Sequence, residues 1–193
     1  MHSFKYANKF TPTTTMRNLY FMFAYPHFMG AITVWGTDDP TKTYIQPLIR
    51  TQKRLVRLIK NAPPRAHTLP IMNELKLLTI TNIYIMRVCI EIHPYIHKDD
   101  TPINRPEHNH QYTKTSQIHN HSTRYATQKH HYISHDTEHL TKKYTTIWNT
   151  IPQKYREITQ ITPFKNKIKH HLLNKQKGIE DEWEGKRKKK REK

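Results

Sequence analysis

From Lys42 to Lys60 the chain reads KTYIQPLIRTQKRLVRLIK, and Ile45, Leu48, Ile49, Gln52, Leu55, Val56 and Ile59 recur three and four residues apart. That period predicts an amphipathic helix, with Pro47 tolerated near its first turn. Arg50, Lys53, Arg54, Arg57 and Lys60 recur at the same spacing on the other face, with no acidic residue among them. Upstream, LYFMFAYPHFMGAITVWG from Leu19 to Gly36 is nearly uncharged. It predicts a helix from about Thr15 to Tyr25 that ends or kinks at Pro26. A second apolar piece, Phe28 to Trp35, is halted by Gly36 and the turn residues TDDP. A membrane span needs about 20 uninterrupted apolar residues. Tyr25, Pro26 and His27 interrupt this run, so a buried core segment is expected and no membrane partner.

Downstream, NAPPRAHT stops the basic helix and opens a loop bearing Arg65 and His67. LPIMNELKLLTI predicts a short helix from Leu69 to Leu77, with a break at Thr79. Thr81 or Asn82 can cap the next helix, IYIMRVCIEIH, which is apolar nearly all round and suits the centre of a core. Pro94 is expected to end it. Residues 98–141 are rich in Thr, His and Asn and show no sustained period. They read as a long loop or disordered insert, with a strand near Tyr132 and Ile133. Trp148, Ile151, Tyr155 and Ile158 then recur at helical spacing around Pro152. A last amphipathic helix, TPFKNKIKHHLLNKQ, turns Phe164, Ile168 and Leu172 to one face. From Lys177 the chain is charged, first EDEWE and then basic, and is expected to hold no fixed structure.

The pattern therefore predicts a mainly α fold: a small helical domain with a long His-rich loop and a disordered basic tail. Its expected divisions are a lead (1–14), a helical region (15–97), the His-rich insert (98–141), a C-terminal helical segment (142–176) and a charged tail (177–193). At 193 residues the chain suffices for one core, but only 35% of it is hydrophobic, so a modest core with loose segments is expected.

Charge changes the picture most. The formal net charge is +18, and the tail KRKKKREK supplies only part of it. Such a field attracts polyanions, and basic residues clustered on one helix are the footprint expected of nucleic-acid binding. The tail could serve in nuclear import or as a nonspecific phosphate clamp. A single cysteine, Cys89, excludes an internal disulfide and a Cys-rich zinc site, and fits a reducing interior, nuclear or cytoplasmic. The N-terminus lacks the pattern of a secretory signal.

Candidate catalytic chemistry is thin. The pairs Asp38–Asp39 and Asp99–Asp100 could hold the magnesium of nucleotidyl transfer. Both, however, lie beside prolines in turn-like sequence, which favours solvated turn aspartates. His108, His110, His119, His121, His130, His131, His135 and His139 offer zinc ligands, yet no HExxH motif and no cysteine partner accompany them. Neither Cys89, within an apolar helix, nor Ser122 has the setting of a nucleophile. No catalytic residue and no cofactor is assigned.

The order of the pieces LYFMFAYPHFMGAITVWG, PLIRTQKRLVRLIKNAPPRAHTLPIMNELKLLTITNIYIMR, IHNHSTRYA and IWNTIPQKYREITQITPFKNKIKHHLL resembles the region downstream of the polymerase domain in jockey-like non-LTR retrotransposon reverse transcriptases. The similarity runs from about Thr15 to Leu173. It implies the thumb and C-terminal part of an RNA-directed DNA polymerase, separated from the palm that carries its aspartates and binds Mg2+. It implies no catalysis by this chain alone, RNA and DNA as partners, and a polymerase palm in trans as a further one. Arg50, Lys53, Arg54, Arg57 and Lys60 are the expected nucleic-acid contacts, with Arg65 and Arg124 beside them. The open alternative is a degenerate, partly folded retroelement product whose affinity for nucleic acid is charge-driven only.

Overall fold

A computed structural model describes residues 6, 8, 10–97, 111–114, 130–133 and 139–191. The described chain is mainly helical, as the apolar periods require. Its α-helices are α1 (Thr13–Leu19), α2 (Tyr25–Met29), α3 (Ile32–Trp35), α4 (Gln46–Ile59), α5 (Thr68–Glu74), α6 (Ile80–His97), α7 (His139–Asn149), α8 (Gln153–Arg156) and α9 (Ile161–Arg191). Strands β1 (Gln111–Lys114) and β2 (His130–Ile133) pair antiparallel with Tyr112 opposite Tyr132. β2 is thus the strand expected near Tyr132 and Ile133. Residues 139–141, expected to close the His-rich insert, instead open α7, and the remainder of the insert, including Arg124, lies outside the described residues. Two compact units divide the chain, one of residues 1–84 and 169–193, the other of residues 85–168.

In the first unit the helix expected to end or kink at Pro26 does neither abruptly. Tyr20–Ala24 forms a π-helical turn between α1 and α2, and the Tyr25 N–H reaches back to the Tyr20 carbonyl. Pro26 stands at the start of α2, where its missing N–H costs least. The wide turn also has a packing use. Met16, Tyr20, Ala24 and Phe28 are all buried, yet every four-residue step in an α-helix drifts by about 40°. One wider turn takes back part of that drift and keeps the row on one face. Gly36 closes the segment, because a Cβ there would lie 2.2 Å from the Ile32 carbonyl oxygen and 2.4 Å from the Tyr84 ring.

α4 begins after a 3-10 turn at Thr43–Ile45, with Pro47 in its first turn as expected. Its buried stripe includes Gln52, Leu55, Val56 and Ile59. α4 and α5 close in the same way. Asn61 (φ 50°) and Lys76 (φ 54°) take left-handed conformations, and the following N–H groups reach back, Ala62 to the Arg57 carbonyl at 2.9 Å and Leu77 to the Met72 carbonyl at 2.8 Å. The Leu75 carbonyl at the end of α5 accepts from Arg17 Nε at 2.7 Å.

Between α5 and α6 the chain runs without helical bonding, and two glutamines take over its backbone groups. Gln52 is 1% exposed. Its Nε2 donates to the Leu78 carbonyl at 2.8 Å and to the Tyr20 hydroxyl at 3.0 Å, and its Oε1 accepts the Ile80 N–H at 3.1 Å. Gln176, on α9, is equally buried. Its Nε2 donates to Asn73 Oδ1 at 2.7 Å and to the Leu77 carbonyl at 3.1 Å, while its Oε1 accepts the Thr79 N–H at 3.2 Å. Thr79, read from sequence as a break, is the N-cap of α6, its hydroxyl accepting the Asn82 N–H at 3.3 Å.

In the second unit α6 does not stop at Pro94 but continues to His97. Pro94 forgoes one ladder bond, and the helix runs only three residues beyond it. His93 is buried, its Nε2 bonded to the Ile158 carbonyl at 2.7 Å, with the ring centroids of Phe164 and His97 at 4.3 and 4.6 Å. Trp148 and Phe164 stack beside it, 5.5 Å apart. Arg156 is also buried and donates through Nε to the Ile151 carbonyl at 2.9 Å. α9 runs on to Arg191 through a segment expected to hold no fixed structure. That stretch is free of proline and rich in Lys, Arg and Glu, which favour helix when the backbone is already nucleated.

Replacing Gln52 by leucine leaves the Leu78 carbonyl, the Ile80 N–H and the Tyr20 hydroxyl without their partner. We expect a loss of about 3 kcal/mol, lowering Tm by roughly 10 °C in a thermal melt followed by circular dichroism. Burial holds the His93 imidazole below its ordinary value, the Ile158 bond works against that shift, and His97 adds to it. The unfolded chain therefore binds this proton at higher pH than the folded one, so its stability contribution is complete above pH 6.5 and declines as pH falls through the lowered value. His93→Gln should flatten the fall of Tm measured from roughly pH 7 to 5.

Candidate nucleic-acid interface

α4 supplies the candidate surface, because its fourteen residues include no acid and place their cations away from the buried stripe. Arg50, Lys53 and Arg54 are exposed. Among the described residues none of these three has an ion pair. Arg65, in the loop after α4, is exposed as well. The other two cations of the stripe have structural partners. Arg57 is half-buried and donates through Nε to the Ala66 carbonyl at 2.9 Å. Lys60 pairs with Glu74 of α5. The sequence pattern showed no acid within α4 and so missed this partner, which comes from the next helix.

A free cationic sector of this kind can do one thing well chemically. It can hold phosphate oxygens without reading base sequence, through charge-assisted hydrogen bonds that released counterions make favourable. Lys53 sits at the edge of the sector and also lines a cleft of about 390 Å3 in the same unit, whose other walls include Ile49, Leu69, Met72, Thr81, Asn82 and Ile179.

The other candidates stay apart from any site. Asp39 is a turn residue, its Oδ1 accepting from the Thr41 N–H at 2.9 Å and from the Thr41 hydroxyl at 2.6 Å. The Thr41 bonds, with Lys42 nearby, hold its carboxyl below the usual value. Asp99, Asp100 and the histidines at 108, 110, 119, 121 and 135 lie outside the described residues. Among the described residues no group of three or more His, Cys, Asp or Glu side chains could hold a metal ion. Cys89 is fully buried, and burial pushes its thiol up to about 12, far from a reactive thiolate. Among the described residues no helix is long and apolar enough to cross a membrane. No family model, curated protein or solved structure matches the chain.

The division of the basic stripe into free and bonded members is open to test. Arg57→Ala should cost about 1 kcal/mol of stability by releasing the Ala66 carbonyl, whereas Arg54→Ala should stay within about 0.5 kcal/mol of the parent in urea unfolding.

Proposed function

We propose that the chain grips RNA or DNA through α4, as the post-palm helical region of a non-LTR reverse transcriptase would, and performs no chemistry of its own. The observation that carries this reading is the exposed trio Arg50, Lys53 and Arg54, single in sign and free of ion pairs among the described residues. A merely solvated helix face normally mixes signs through pairs three and four residues apart. Arg57 and Lys60 act here as supports that fix the end of α4 and the loop carrying Arg65. In this reading a polymerase palm is the natural partner, supplied in trans, and magnesium belongs to that palm. The sequence resemblance supplies the family, and the net charge of +18 supplies the long-range attraction.

The test is binding of single-stranded RNA and DNA by fluorescence anisotropy as salt is varied. Arg50→Gln with Arg54→Gln, both at exposed positions, should weaken binding several-fold. The slope of log affinity against log salt should also become shallower by about 1.4 to 1.8, since each phosphate contact contributes roughly 0.7 to 0.9. An unchanged affinity and slope would remove α4 as the grip.

A further inference from the structure

The cleft beside α4 combines three kinds of wall that are rarely needed together. Ile49, Leu69, Met72 and Ile179 give it apolar sides. Asn82 gives it an amide. One Nδ2 hydrogen of that amide is used on Gln176 Oε1 at 3.2 Å, and the side chain has capacity for another donor bond and for acceptance at Oδ1. Lys53 stands exposed on its wall, three residues from Arg50 and one from Arg54, so the free cationic sector of α4 begins where the cleft opens. Its volume of about 390 Å3 falls within the range of small-ligand sites.

We propose that this cleft seats one unpaired base of a single-stranded nucleic acid. The aliphatic side chains cover the faces of the ring, the Asn82 amide meets its donor and acceptor edge, and Lys53 holds the phosphate of the same nucleotide. The proposal rests on the grip assigned to α4 and adds a preference to it: single strands over duplex, through a base rather than through charge. A paired base cannot enter, because its edge is already bonded and its faces are stacked.

The experiment compares four probes on the full chain by anisotropy at one salt concentration. They are a single-stranded DNA of about 12 nucleotides, an equally long strand carrying abasic sites throughout, the first strand annealed to its complement, and a nucleoside monophosphate. The intact strand should bind about five-fold more tightly than the abasic strand and the duplex. Thr81→Met, which fills the cleft without changing charge, should erase that preference while keeping the salt slope. Circular dichroism confirms that the variant is folded, and the abasic comparison stands without any variant. Equal binding of intact and abasic strands, both salt-sensitive, overturns the base site and leaves the grip standing. Absence of binding to every strand overturns both. Saturable binding of the monophosphate with no preference among the strands also overturns the proposal, since the cleft would then serve a free nucleotide.

Discussion

Two buried glutamine side chains hold the segment on which the first unit depends. The stretch from Leu77 to Thr79 is buried or half-buried backbone between two helices, and unpaired backbone groups in a core cost about as much as the hydrogen bonds they forgo. Gln52 from α4 and Gln176 from α9 take those groups between them. Each amide offers a donor and an acceptor on one planar head, so one side chain can answer both a carbonyl and an N–H of an extended strand. The arrangement ties α4, α9 and the start of α6 to a common point. It also links Tyr20 to the same network through its hydroxyl, whose own ionisation burial pushes up to about 12.

The position of the basic residues follows from that anchoring. With Gln52 turned inward, the helical period fixes Arg50, Lys53 and Arg54 away from the core. A serine or alanine at position 52 would preserve the amphipathic period but leave the Leu78 carbonyl and Ile80 N–H without their partner. Charge and fold are therefore coupled through the inward stripe of Gln52, Leu55, Val56 and Ile59, whose fixed side determines where the cations point.

Much of this was legible in the sequence. The apolar period of α4 included Gln52 on its stripe, and the absence of acids on the opposite side was evident before any geometry. The helix through Phe164, Ile168 and Leu172 was equally plain. What remained hidden depended on partners distant in sequence or on the tolerance of helices for awkward residues. Nothing local says that Lys60 meets Glu74, or that Gln176 reaches Thr79 from ninety-seven positions away. Pro26 and Pro94 read as stops because local rules treat a missing N–H as decisive, whereas a π turn sets Pro26 at the start of α2 and α6 runs three residues past Pro94 with that ladder bond forgone. The charged run after Gln176 looked unstructured because Ile179 and Trp183 are its only large apolar residues, too few for a periodic stripe, and an already nucleated helix does not need one.

The π turn at Tyr20–Ala24 has a consequence for how this region can vary. It contains in effect one residue more than an α-helical path needs, so removing any one of the five would restore the regular ladder. That apparent repair would leave Phe28 on nearly the same face, since the wide turn already absorbs the extra residue's rotation, but it would bring Pro26 into the interior of an uninterrupted helix, where its ring meets the carbonyl four residues back. Point substitutions on the exposed side, at Met22 or Phe23, leave the wide turn untouched. The segment should therefore accept changes of identity far more readily than changes of length.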